Sequence, residues 1–168
     1  TVDMRGNLQT RLRKLEEGQC DAILLAFAGV HRMEYDSLIS EHLSLNEFTP
    51  AVGQGSVAIE CGQEMKKEKR EKVRALLNHP DTETCLLAER AFLRRLQGGC
   101  SVPVFGLASL ENETVSMTGG VVSLDGQQLL KHTVNGLASA PQNVGIQLSE
   151  LLLAAGAADI LTQIKQNL

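Results

Sequence analysis

The sequence predicts two regions of different class. Residues 1–48 read as an α/β segment with a parallel sheet, and residues 64–168 read as an α+β domain, helices on a small antiparallel sheet. Residues 49–63 join them. Three observations carry this reading. Strand, helix and strand patterns follow one another within the first 29 residues, the order of a βαβ unit. Three β-rich runs then follow a helical stretch near the middle of the chain. An Asp-Gly pair, Asp125-Gly126, separates two of those runs, a strong hairpin signal.

Each element has a local reason. "TVDM" at 1–4 reads as a short strand. Leu8, Leu12 and Leu15 recur at i, i+4 and i+7, a helical stripe, with Asn7 placed to cap its start and Gly18 its end. "DAILLAFAG" at 21–29 is apolar without alternation, which suits a strand buried on both faces. A chain that opens on the first strand of such a unit has too few sheet partners, so it reads as incomplete. Pro50, Gly53 and Gly55 punctuate a turn, and "SVAIEC" at 56–61 alternates weakly, as a strand does.

Six positive and three negative residues crowd positions 64–74. A mixed-sign run on a helix reads as a solvated face, with an acidic partner as the alternative. Pro80 suits the first position of the next helix, and Asp81 and Glu83 its first turn. That helix carries Cys85, Ala88, Phe92 and Leu96 on one stripe and stops at Gly98-Gly99. The β runs are "SVPVFGLASL", "TVSMTGGVVSL" and "QQLLKHTV". Helices over 142–155 and 157–166, parted by Gly156, close the chain.

Composition excludes several classes of function. The 168 residues are 43% hydrophobic and 21% charged, the balance of a globular chain. Aromatic residues are 3%, with no Trp, and the net charge is −4. A nucleic-acid partner is disfavoured on both counts. No apolar run approaches the ~20 residues of a membrane span. Cys20, Cys61, Cys85 and Cys100 lack paired CxxC spacing, and the four histidines are scattered, so no metal site is expected. Scattered thiols point to a reducing, intracellular setting.

Few groups offer chemistry. Arg5, Arg11 and Arg32 stand near turns or element ends, and a guanidinium fork suits carboxylate or phosphate. Three surface arginines are the plainer reading. Gln54 sits in "AVGQG", which lacks both the P-loop and the dinucleotide-binding patterns. It can serve as a turn residue or as a hydrogen-bond donor to a ligand. The aspartates at 21, 36, 81, 125 and 159 present no evident acid–base pair. Cys100 follows Gly98-Gly99 directly in "RRLQGGCSVPV". It can be a packing residue, a nucleophile, a ligand or an anchor. The glycines allow close approach, and Arg94 and Arg95 would lower a nearby thiol's pKa.

These residues resemble a family. "AERAFLRR" with "LQGGCSVPV" is similar to the cofactor-attachment loop of the porphobilinogen deaminases, also called hydroxymethylbilane synthases. "RGNLQTRLRKL", "DAILLAFAGVHRM" and "PAVGQGSVAIEC" resemble that family's other landmarks, in the family's order. The resemblance implies head-to-tail condensation of four porphobilinogen molecules to hydroxymethylbilane, with release of ammonia, in tetrapyrrole and haem biosynthesis. It implies a dipyrromethane cofactor held by a thioether to Cys100. Arg5, Arg11 and Arg32 then match arginines that bind the acetate and propionate groups of the cofactor and the growing polypyrrole. Gln54 matches a position near the cofactor and hinge.

The resemblance also places this chain in the C-terminal part of a three-domain enzyme. Residues 1–48 would be the second half of domain 2, with periplasmic-binding-protein-like α/β architecture. Residues 49–63 would cross back to domain 1, and residues 64–168 would form the cofactor-bearing domain 3. The catalytic aspartate would lie upstream, leaving no catalytic residue in this chain. The N-terminal half becomes the expected partner. A monomeric, cytoplasmic whole enzyme is expected, or a plastid one if a transit peptide lies upstream. The rivals are a non-enzymatic small-anion binder of periplasmic-binding-protein-like architecture and a remnant without a ligand.

Overall fold

The computed structural model describes residues 2–98 and 102–166. The chain divides between Leu43 and Ser44 into two compact units.

The first unit holds α1 (Leu8–Glu16), α2 (Phe27–Arg32) and a 3-10 turn at Asp36–Leu38. The caps of α1 are those its sequence announces. Asn7 Oδ1 accepts from the Thr10 amide and hydroxyl, both at 2.9 Å. At the other end Gly18 takes φ +74°, a conformation that favours glycine. Its amide donates to Leu15 O at 2.9 Å and that of Gln19 to Lys14 O at 3.0 Å, closing a Schellman motif.

The strands expected in this unit are not formed. Residues 2–4 of "TVDM" are irregular, and so is the first half of "DAILLAFAG", while Phe27 to Gly29 begin α2. A strand buried on both faces needs neighbours on both edges, and the described residues of this unit contain no strand. The apolar run is accordingly uncovered: Leu24 is 74% exposed and Phe27 52%. Among the unit's described residues Val30 is the one buried hydrophobic side chain.

The second unit begins with an irregular segment and continues through α3 (Lys67–Leu77), α4 (Pro80–Arg95), β1 (Val104–Glu111), β2 (Thr114–Val122), β3 (Leu129–Leu137), α5 (Pro141–Ala154) and α6 (Ala157–Gln166). "SVAIEC" is not a strand here, and Val57 is 84% exposed. Helix α3 is the solvated face its charges suggest. It buries no residue, and Lys67–Glu71 and Lys72–Glu68 pair along it. Pro80 opens α4, and His79 Nδ1 accepts from the Thr82 amide. Arg74 and Asn78 both donate to Glu83, which ties the α3–α4 junction and holds that carboxyl below its usual pKa.

The three strands form an antiparallel sheet in the order β1-β2-β3. Met117 on β2 stands opposite Ala108 on β1 and Val134 on β3. Val115, Met117 and Val121 alternate onto the face that α4 and α5 cover. The Asp-Gly signal marks a real hairpin, with a loop longer than two residues: β2 ends at Val122 and β3 begins at Leu129. Asp125 Oδ1 organises the loop by accepting from Ser123 Oγ at 2.5 Å and from the Gln127 amide at 3.1 Å.

The core is made by Phe92 from α4, Val115, Met117 and Val121 from β2, Val144, Leu148 and Leu152 from α5, and Ile164 from α6. Among the described residues no single helix is long and apolar enough to cross a membrane. The apolar pair α5 and α6 is bent by 82° and buries Val144, Leu148, Leu152, Ile160, Leu161 and Ile164 in this core.

Helices α4 and α5 approach closely because position 145 is glycine. A Cβ at Gly145 would lie 2.0 Å from Ala88 O and 2.8 Å from the Phe92 amide, both backbone atoms. Only moving one helix relieves such a clash. Gly145→Ala is therefore expected to destabilise this unit by about 3 kcal/mol, the upper range for overpacking. Chemical denaturation checks this, and a loss under about 0.5 kcal/mol, the ordinary scatter of surface changes, would contradict it.

Candidate functional site

Arg5 and Arg11 both stand at the start of α1. Gly6 has φ +121°, and a Cβ there would lie 2.7 Å from Thr10 Cγ2, so the turn requires glycine. The turn aims the backbone carbonyls back over the helix. Arg11 Nε donates to Gly6 O at 2.9 Å, and Lys14 Nζ donates to Arg5 O at 3.0 Å. Arg5 Nε pairs with Asp3 at 2.9 Å. Two cations, Arg11 and Lys14, therefore fold back on the backbone of this turn at a helix N-terminus, and Arg5 extends from it paired with Asp3. The bonds of Arg5 and Arg11 use Nε and leave the terminal guanidinium nitrogens for a carboxylate. Lys14 was not foreseen from the sequence. Its signal was its place one turn after Arg11.

Arg32 ends α2 and is exposed, without a hydrogen bond to that knot among the described residues. Next to it lies an acid–imidazole pair that sequence spacing did not reveal. His31 Nδ1 and Asp36 Oδ1 are 2.8 Å apart. The His31 hydrogen bond, the largest cause, holds the Asp36 carboxyl below its usual pKa. Phe27 stacks on His31 with centroids 5.5 Å apart and meets His42 edge-on at 5.3 Å. Among the described residues no nucleophile is bonded to the pair, and both side chains are exposed. Its evident work is to fix the end of α2, where Arg32 stands.

Gln54 lies in the turn of the second unit. The turn is pinned to β1 by an Ala51–Phe105 bridge and by the Gly106 amide donating to Pro50 O at 2.9 Å. Gln54, Ser56, Asp81, Cys85, Glu89 and Leu110 are among the side chains lining a groove of about 230 Å³ between this turn, α4 and β1. Glu89 is 4% exposed and has no place in the sequence reading. Its signal was present. It falls four residues after Cys85 and three before Phe92, on the apolar stripe of α4.

Cys100 lies outside the described residues, as do Gly99 and Ser101. Its flanks are described. Helix α4 ends at Arg95, with Gln97 at φ +51°, and β1 starts at Val104. Arg95 is committed to Glu150 on α5 at 2.7 Å. Arg94 is exposed and without a hydrogen-bond partner for its side chain among the described residues. The other three cysteines are free thiols. Burial, then the carboxylates Glu89 and Asp81, push the Cys85 thiol up, which makes it a poor thiolate. No group of three or more possible metal ligands occurs among the described residues.

Comparison with known proteins decides the family. Residues 1–70 match the family model described as "Porphobilinogen deaminase, dipyromethane cofactor binding domain", and residues 83–154 match "Porphobilinogen deaminase, C-terminal domain". The chain belongs to the porphobilinogen deaminase family. Relatives named porphobilinogen deaminase include one from Cytophaga hutchinsonii, 56% identical over 167 residues, and one from Desulfosudis oleivorans, 49% identical over 167. Each match covers 99% of this chain and 54% of the relative. A third, from Desulfitobacterium hafniense, is 45% identical, at 99% and 53%. The chain thus spans about half the length of the curated relatives it matches.

A porphobilinogen deaminase domain takes a dipyrromethane cofactor, and the described residues can be tested for their fit to it. Dipyrromethane carries several carboxylates. The Arg5–Arg11–Lys14 knot supplies cations with free guanidinium nitrogens, and Arg32 supplies another. The donor set fits an anionic ligand, and it would fit a neutral or cationic one poorly.

Proposed function

We propose that this chain is the C-terminal part of a hydroxymethylbilane synthase, which condenses four porphobilinogen molecules head to tail with release of ammonia. The observation that carries the proposal is the pair of family matches in consecutive order along the chain. When bound, dipyrromethane supplies the pyrrole terminus from which a polypyrrole extends. Cys100 supplies the sulfur that holds it. The Gly98-Gly99 break gives that sulfur room, and a thioether anchor needs no base beside it.

The arginines give the chain its grip on carboxylates. Arg5 and Arg11 present guanidinium nitrogens at a helix start, and Arg32 does so at a helix end. Gln54, held in the turn against β1, matches a position near the cofactor and hinge. The expected arrangement is the second half of a periplasmic-binding-protein-like domain 2 over 1–48, a crossing segment over 49–63 and a cofactor-bearing domain 3 over 64–168. Upstream residues would supply the catalytic aspartate and the other wall of the cleft. The whole enzyme would be monomeric and cytoplasmic.

The test is made in a full-length version of the protein. Arg11→Leu and Arg32→Leu are expected to slow cofactor loading or chain elongation by one to two orders of magnitude each. That is the loss of a charge-assisted hydrogen bond of about 1.5–3 kcal/mol. Thermal unfolding should move little, since Arg32 is exposed and Arg11 is only half-buried. Porphobilinogen consumption and a melting curve read both. Normal turnover with a collapsed melting temperature would make these arginines structural and remove the carboxylate-binding role.

A further inference from the structure

We propose that Glu89 is a positioning residue: its carboxylate latches the Pro50–Gly55 turn to the α4–β1 pair and so sets Gln54 against the two elements that flank the Cys100 loop. The latch stands on geometry, and its bearing on chemistry rests on the function proposed above.

Glu89 Oε2 accepts from the Gly53 amide at 2.8 Å, and Oε1 accepts from the Ala108 amide at 2.9 Å. One side chain on α4 therefore holds the crossing turn with one oxygen and the middle of β1 with the other. The remaining ties of the turn, at Ala51 and Pro50, run to the start of β1 and not to the helix. Only Glu89 closes the triangle of turn, helix and strand among the hydrogen bonds of the described residues. The helix and the strand of that triangle lead, along the chain, to the segment that holds Cys100. Glu89 precedes Cys100 by eleven residues along α4 and its end, and Ala108 follows it by eight.

The choice of residue is informative. A buried carboxylate is costly, and an apolar side chain would pack on this stripe without that cost. Desolvation indeed pushes the Glu89 carboxyl up, against the pull of its two amide donors. A carboxylate is the acceptor that can take two N–H groups on two separate oxygens. Glutamine keeps one acceptor and turns an NH2 toward the other donor. The site thus keeps the group that fixes both backbones, at a cost to stability that packing alone does not require.

The experiment compares a full-length version of the protein with its Glu89→Gln and Glu89→Asp variants. Amide hydrogen exchange reads the latch, intact mass reads the cofactor, and steady-state kinetics read the chemistry. In the unsubstituted protein the Gly53 amide should be protected; an unprotected Gly53 overturns the latch with no variant needed. In Glu89→Gln, exchange over residues 51–56 should rise about tenfold or more, while Val115 and Met117 on β2 keep their rates. The kcat should fall about tenfold with KM and adduct mass unchanged, and Glu89→Asp, which keeps both oxygens, should recover part of it. Exchange that quickens equally in β2 makes Glu89 merely structural and overturns the proposal. So does a freed turn with unchanged kcat. If the unsubstituted protein carries no adduct, the functional reading falls, and the exchange results alone decide whether the latch exists.

Discussion

In a full-length version of the protein, Cys100→Ser should carry no cofactor and show no turnover. A thioether requires a sulfur nucleophile, and the reactive form is the thiolate. A serine hydroxyl is scarcely ionised near neutral pH and is far weaker without a paired base. The substitution changes one atom, sulfur to oxygen, so the fold should be kept. The controls sharpen the test. Cys20→Ser, Cys61→Ser and Cys85→Ser, made singly, should each retain the adduct. Cys85 is the most telling control. It lines the groove beside Gln54, yet burial and two neighbouring carboxylates disfavour its thiolate. Intact mass separates the variants directly. An adduct retained in Cys100→Ser, or lost in Cys85→Ser, would move the anchor elsewhere.

Residues 1–168 expressed alone should not convert porphobilinogen to hydroxymethylbilane. Loss of ammonia builds positive charge that needs a carboxylate, and the function proposed above expects that aspartate upstream of Thr1. The carboxylate-binding groups would work in open solvent. Arg5 is 88% exposed, where an ion pair contributes about 0–1 kcal/mol. The first unit also lacks the cover its apolar residues call for, with Leu24 and Phe27 exposed and Val30 alone buried among its described hydrophobics. The second unit contains the apolar core and should fold. The measurement is porphobilinogen consumption by the chain alone, and then with the N-terminal half added as a separate polypeptide. Turnover only in the mixture is the expected result. Turnover by the chain alone would show that a group within it does the work assigned to the aspartate.

What the sequence revealed and what it hid follow from where each interaction is made. Local chemistry was legible. Asn7 and Gly18 cap α1, Pro80 opens α4, and Asp125-Gly126 turns β2 into β3, because each acts on residues a few positions away. The stripe of Ala88, Phe92 and Leu96 likewise fixed which face of α4 is buried. Strands were legible only where their partners lie in the chain. The runs forming β1 to β3 pair with one another, whereas "DAILLAFAG" and "SVAIEC" have strand character and no ladder. Among the site residues, Arg5 and Arg11 were read as separate arginines. The bond of Arg11 to the Gly6 carbonyl goes with a positive φ that spacing does not show. Glu89 was passed over because its partners are backbone amides 36 and 19 residues away, which no local pattern encodes.

The central claim is that this chain carries a covalent dipyrrole on one cysteine. Intact mass of a full-length version, made in a host that synthesises haem, tests it most directly. The predicted result is a single species heavier than its sequence by one dipyrromethane unit, with the added mass on the peptide that contains Cys100. A protein of sequence mass, or an adduct mapped to any other residue, would contradict the account.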